Sequence, residues 1–368
     1  MKSSKSVLAL PPFRYRTPKS DRLLESRRII TSICAITLER SASLKRWLAT
    51  HAASPDFALS PASADASFRR YFRVRYEDGS THIVMDAPPQ FEDCTAFVKV
   101  AQMMADCGLN VPQVIASDID QGFLLLSDLG SKMYLSALDD KTADNLFDDA
   151  TTALVRWQLA SRDDMLPRYD DELLRRELNL FPEWYVVKHL GVSLDQEQRA
   201  AMQSVFDLII GDNLSQPSTY VHRDFMPRNL MVCEPNPGIL DFQDAVYGPI
   251  SYDVVSLFRD AFVSWEEDRV LDWVARYWEK ARAADLPVRS DFGEFYREFE
   301  WMGLQRHLKV LGIFARIRYR DGKPAYLEDA PRFVKYIRAV GERYSALAPL
   351  MRLFDKLDVQ TRSSEFGN

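Results

Sequence analysis

The stretch "YVHRDFMPRNLMV", residues 220–232, decides how this chain is read. An apolar entry delivers His222, Arg223 and Asp224; Asn229 follows Asp224 by five positions, and Leu230, Met231 and Val232 restore the apolar pattern. After a Pro-Asn-Pro-Gly turn at 235–238, "GILD" ends on a second carboxylate, Asp241. "LMVC" and "GILD" read as the strands of a hairpin, which folds Asp241 back beside Asn229. The whole pattern, H-R-D-x-x-x-x-N, strand, turn, strand, D, suits phosphoryl transfer from a magnesium–nucleotide complex. One carboxylate accepts or orients the attacking hydroxyl, while an amide and a second carboxylate offer Mg²⁺ hard oxygen ligands. Mg²⁺ takes its remaining ligands from phosphate and water, so two protein groups suffice. Asp224 is the candidate catalytic residue and Asn229 and Asp241 the candidate metal ligands, with ATP and Mg²⁺ as the implied cofactors. A solvated surface loop explains His-x-Asp alone. It does not explain the Asn at this distance together with an Asp closing the hairpin.

Upstream of this motif the chain is strand-rich. "SASLKRWLATHAA" from Ser41 has a Ser cap and apolar residues at helical spacing. "FALSPASADASFRRYFRVRYEDGSTHIVMDAPP" reads as strands around an "EDGS" turn, and "DCTAFVKVAQMMADCG" as an amphipathic helix stopped by Gly108. "NVPQVIASDIDQGFLLLSDLG" adds two strands. Beyond Gly130 strands almost disappear outside the motif region, and long helical patterns such as "EFYREFEWMGLQRHLKVLGIFARIRY" take over. The expected organisation is α+β and two-lobed: a nucleotide-binding lobe over 41–128 and a larger, mainly helical lobe over 129–368. Residues 1–40, rich in Lys, Arg and Ser, read as a basic tail, a start assigned too far upstream, or a targeting segment.

Bulk properties narrow the function classes. A formal net charge of −6 argues against a general nucleic-acid binder. The four cysteines form no C-x-x-C pair, which fits a reducing compartment and no structural zinc. No apolar run reaches the length of a membrane span. A cytoplasmic monomer acting on a small molecule, with no nucleic-acid or membrane partner, is the expectation.

The motifs "VHRDFMPRNLMV" and "GILDFQDAVYGPISYDVVSL" resemble those of the aminoglycoside phosphotransferase and choline kinase branch of the protein-kinase-like fold. The metal-binding segment reads Asp-Phe-Gln-Asp at 241–244, as is common in that branch. Asp253 matches the position whose carboxylate braces the catalytic-loop backbone. "SADASFRRYFRV", "MDAPP", "RRELNLFPEWY", "DFQDAVYGPISYD" and "RHLKVLGIFARIRYRDGKPAYL" are more narrowly similar to the bacterial anomeric kinases of N-acetylmuramate and N-acetylglucosamine. That resemblance spans roughly residue 41 to the 350s. It implies an amino-sugar substrate phosphorylated on its anomeric hydroxyl in cell-wall recycling, with Glu177 and Trp184 as sugar-binding candidates beside Asp224.

The nucleotide lobe departs from the wider pattern. Met85 and Asp86 stand where a phosphate-binding strand Lys is expected, and Phe97 stands where its helix Glu partner belongs. "ADASFRRYF" replaces a Gly-rich loop, so backbone N–H groups near Ser67 and the guanidinium of Arg69, Arg70 or Arg73 are the candidate phosphate contacts. Strand alternation puts Arg69, Tyr71 and Arg73 on one face and Phe68, Arg70 and Phe72 on the other, without saying which meets ATP. Adenine is expected against the link around Leu126, Asp128 and Leu129. Asp291-Phe292-Gly293 spells a kinase metal motif, but no strand delivers it, and it reads as a helix N-cap.

Two other functions fit parts of this pattern. An aminoglycoside kinase would need a pocket lined with carboxylates, and a non-catalytic nucleotide-binding module would explain the missing Lys and Gly-rich loop. A protein kinase is disfavoured, because only residues 242–252 separate Asp241 from Asp253, too few for a peptide-docking activation loop.

Overall fold

The computed structural model describes residues 39–64 and 68–365. The basic stretch over 1–40 lies outside them but for its last two residues, and Ser67 lies outside them as well. Helix α1 runs over 39–51, so Ser41, expected as its cap, sits inside it. The reason is Arg40. Its Nε donates to Asp86 Oδ1 at 2.6 Å, Nη2 donates to the Gln121 carbonyl at 2.7 Å, and the guanidinium lies over the Phe123 ring. Arg40 thus ties the start of α1 to the sheet.

Five strands follow: β1 (Phe57–Ala64), β2 (Arg70–Tyr76), β3 (Thr81–Asp86), β4 (Val114–Asp118) and β5 (Phe123–Ser127). They form one antiparallel sheet in the order β1-β2-β3-β5-β4. Period-two alternation divides its residues cleanly. Phe72, Val74, Val84 and Leu125 pack on Leu44, Trp47 and Leu48 of α1. Met85, Leu124 and Leu126 face the other way, into the core beneath helix α2 (Cys94–Asp106). Asp93 caps α2 by accepting from Thr95 N, and Gly108, at φ +71°, supplies the left-handed turn after it.

The second lobe is helical around a small β-framed centre. Helices α3 (Tyr134–Ala137), α4 (Ala143–Leu159) and α5 (Asp171–Leu178) lead into a wide helical stretch, Phe181–His189, and helix α6 (Gln196–Leu214). Strand β6 (Ser218–Val221) then enters the motif, and β7 (Leu230–Met231) pairs antiparallel with β8 (Gly238–Ile239) as the sequence implied. The pairing of β6 with β9 (Val246–Pro249) was not foreseen; it clamps both ends of the motif segment together. Helices α7 (Tyr252–Phe258), α8 (Glu267–Ala283), α9 (Phe292–Asp321), α10 (Ala330–Gly341) and α11 (Ala348–Glu365) complete the chain. Asp291 caps α9 by accepting from Glu294 N at 3.0 Å, which removes it from the chemistry. The middle of α9 is buried nearly all round, and Gly312 lets it press on the chain at Leu180, where a Cβ would lie 2.3 Å from backbone carbon. Among the described residues no helix is long and apolar enough to cross a membrane.

Asp86 is wholly buried and holds both Arg40 and Arg70, so it ties α1 to the sheet. Asp86→Ala is expected to cost about 2–4 kcal/mol, because two guanidinium groups lose their acceptor. Arg40→Ala should cost about 1–2 kcal/mol, since Asp86 keeps Arg70. Urea denaturation of the two variants checks the order; equal losses would contradict it.

Candidate active site

The loop between β6 and β7 has to present Asp224 while turning sharply, and its backbone pays in conformation. Arg223 adopts φ +75° and Asp241 φ +64°, left-handed values that L side chains avoid. Both are held by specific partners. The fully buried Asp253 carboxylate accepts from His222 N at 2.6 Å and Arg223 N at 3.0 Å, satisfying two N–H groups that the turn leaves unpaired. This is the bracing role that the resemblance implied for Asp253. Burial pushes its carboxyl up to about 7, and the two backbone donors pull the other way. His222 is buried too, and desolvation lowers its ring to about 4, so it stays neutral near pH 7.

Asp224, Asn229 and Asp241 come together. Asn229 Nδ2 donates to the Asp224 carbonyl at 2.9 Å and approaches Asp241 Oδ2 at 3.4 Å. Leu240 N donates to the Asn229 carbonyl at 2.9 Å, so the β7–β8 hairpin carries Asp241 to Asn229 through its own ladder. Gln243 Nε2 holds the other Asp241 oxygen at 2.9 Å. Among the described residues no side chain donates a hydrogen bond to the Asp224 carboxylate, which is partly exposed. With its amide nitrogen occupied, Asn229 offers its side-chain oxygen, and Asp241 its partly exposed carboxylate; both are hard donors of the kind Mg²⁺ takes. No group of three or more His, Cys, Asp or Glu that could hold a metal occurs among the described residues.

The sheet register settles which face of β2 looks at this site. Arg69 lies 3.7 Å from both Glu92 and Asp241, bridging the lobes. Arg73, on the same face, is held by Asp128 at 2.6 Å and by the Gly130 carbonyl. Arg70 points the other way, to Asp86 and the α1 side. Of the three arginines expected at the phosphates, only Arg69 reaches Asp241. Where a Lys–Glu ion pair was missing from the sequence, Phe97 of α2 packs on Phe242, ring centroids 4.8 Å apart. An apolar contact ties α2 to the segment after Asp241. Leu126 is buried in the sheet, and Asp128 accepts from Arg73 and Gly130 N. Leu129 touches the hairpin, being 3.0 Å from where a Cβ on Gly238 would stand. Phe68 and Phe91 stack on each other, exposed, beside Glu92.

Glu177 is not an open sugar contact. It is buried among four donors: Arg223 Nη2 at 2.5 Å and Lys309 Nζ at 2.9 Å on Oε1, and the Tyr169 hydroxyl and Gln305 Nε2 on Oε2. Burial opposes its ionisation, but Lys309 and Arg223 outweigh this and hold it down at about 2. Trp184 lies half-buried against the core in the wide helical stretch. Sequence reasoning missed Tyr169, Gln305 and Lys309. The available signal was the polar Gln305 and Lys309 inside the apolar run of α9, where buried polar groups demand partners. Arg306 approaches Met226 Sδ at 3.8 Å, and His307 stacks on Tyr336 of α10.

The chain matches the model of the phosphotransferase enzyme family, APH, over residues 58–291. It is 53% identical to an N-acetylmuramate/N-acetylglucosamine kinase of Neisseria meningitidis serogroup B over 324 residues, 87% of this chain and 96% of that protein. A kinase of the same name from Pseudomonas aeruginosa is 53% identical over 303 residues, 82% and 89% of the two chains. Among solved structures, ADP-bound aminoglycoside phosphotransferase APH(2'')-Ib superposes with a TM-score of 0.55 at 13% identity, over 81% of this chain and 98% of that one.

Because the folded Glu177 lies below its ordinary value of 4.5, the unfolded chain takes up the proton first on acidification. Its contribution, about 3 kcal/mol, is present above pH 4.5 and lost as pH falls from there towards 2. Denaturation at stepped pH should show wild-type stability falling more steeply across that window than in Glu177→Gln; parallel slopes would contradict the assignment.

Proposed function

We propose, from the premise that this chain belongs to the phosphotransferase enzyme family, that it transfers the γ-phosphoryl group of ATP to the anomeric hydroxyl of N-acetylmuramate or N-acetylglucosamine. The observation that carries this reading is the convergence of Asp224, Asn229 and Asp241 on one loop and hairpin. The names of the relatives at 53% identity support the acceptor class.

The acceptor hydroxyl lies against Asp224, whose carboxylate orients it and takes its proton as the new O–P bond forms and the bond to ADP breaks. No hydrogen bond from a described side chain competes for that carboxylate. The anomeric hydroxyl is the most acidic on a reducing sugar, so it suits a carboxylate base. Asn229 and Asp241 would hold Mg²⁺, which supplies charge neutralisation at the phosphates when bound. Arg69, 3.7 Å from Asp241, brings a guanidinium to the same place and takes over the charge of the absent strand Lys. Near Asp224 the half-buried Arg223 and the buried Lys309 are both paired to Glu177, and the buried Arg306 approaches Met226. The role we assign is the reuse of cell-wall sugars in the cytoplasm, where ATP is at hand.

The acceptor chemistry is tested by offering free N-acetylglucosamine and its methyl glycoside with Mg·ATP. The free sugar should be phosphorylated and the glycoside, its C1 oxygen blocked, should not; turnover of the glycoside would sink the anomeric reading. The roles divide by variant. Asp224→Asn should lower kcat by roughly 10²–10⁴-fold with ATP binding intact. Asp241→Asn should instead raise the metal requirement and recover part of its activity in Mn²⁺. An unchanged metal titration for Asp241→Asn would remove it from the metal site.

A further inference from the structure

We propose that Glu177 is a positioning residue, a permanent internal anion that holds Arg223 and through it sets the Asp224 loop, rather than a ligand of the sugar. This rests on Asp224 being the group that meets the acceptor. An ionised carboxylate offers about four lone-pair sites, and the Glu177 oxygens already serve Arg223, Lys309, the Tyr169 hydroxyl and Gln305. The residue is 5% exposed. Nothing is left for a substrate hydroxyl.

What Glu177 does is visible in Arg223, the residue immediately before Asp224. Its backbone is left-handed at φ +75° and its N–H is fixed by Asp253 at 3.0 Å. Its guanidinium reaches Glu177 on α5 at 2.5 Å and the Asp244 carbonyl, three positions after Asp241, at 3.3 Å. One side chain therefore links α5, the catalytic loop and the segment following Asp241. Lys309 joins from α9, bonded to Glu177 and to the Tyr252 hydroxyl of α7 at 3.0 Å. Without the Glu177 charge, two buried cations lose their shared counter-ion beside the loop.

In regulated kinases of this fold class, activation loops are ordered by a phosphate group that pairs with arginine. Residues 242–252 leave no room here for such a loop. A fixed carboxylate from α5 occupies the corresponding role, so the loop is held in its working shape without a switch.

The test separates positioning from sugar contact by the split between kcat and KM. Glu177→Gln should lower kcat by about 10- to 100-fold and leave KM for the amino sugar within about threefold, since a loop displaced by a fraction of an ångström misplaces the base. Arg223→Met removes the same contact while leaving Glu177 paired to Lys309, so it serves if the first variant fails to fold; it should reproduce the kcat loss. The double variant should be no worse than Arg223→Met alone, because both act through one contact. A raised KM at unchanged kcat in Glu177→Gln, or wild-type turnover in Arg223→Met, would overturn the proposal. Rates are read on whichever acceptor the wild-type enzyme phosphorylates, or on ATP hydrolysis by water if it accepts no sugar. Failure with amino sugars thus strikes the functional reading and leaves this one open to its own result.

Discussion

The pair of hydrogen bonds from His222 N and Arg223 N to Asp253 is the contact on which the rest of the site depends. A loop that turns through a left-handed residue exposes backbone donors, and here the His222 donor is buried and the Arg223 donor partly so. Leaving either unpaired would cost about 1–3 kcal/mol. Asp253 answers both at once from the first turn of α7, at the expense of burying its own carboxylate. The β6–β9 pairing brings the two segments into register, with Val221 opposite Val246. Once the turn is fixed, Asn229 and the β7–β8 ladder place Asp241 without further choice.

The two lobes meet through one apolar contact and one cationic bridge. Phe97 against Phe242 supplies an apolar tie between α2 and the segment after Asp241, and Arg69 between Glu92 and Asp241 supplies the charge. Of Met85 and Asp86, the two residues where the Lys was expected, Asp86 is a buried structural anion that binds Arg40 and Arg70 on the face of the sheet away from the site.

Local patterns carried most of the architecture. Alternation in β2, β3 and β5, the cap of α2 and the hairpin at 230–239 are readable because each depends on neighbours close in the chain. The Asp224, Asn229 and Asp241 set was legible for the same reason, lying within eighteen positions on one loop and hairpin. Partnerships across long separations were not legible. Arg40 with Asp86, Arg73 with Asp128, and Glu177 with Lys309 join residues 46, 55 and 132 positions apart, and a sequence shows the charges without the pairing. The resemblance offered Glu177 as a sugar contact, and its four donors, from residue 169, the loop at Arg223 and α9, were not visible in the sequence.

The position of the phosphate in the product distinguishes transfer to C1 from transfer to any other hydroxyl of the sugar. Carbon-13-labelled N-acetylglucosamine treated with the enzyme and Mg·ATP should give a product whose C1 and C2 resonances are split by phosphorus, with C6 unsplit. Splitting at C6 and none at C1 would leave the kinase fold standing and contradict the anomeric assignment.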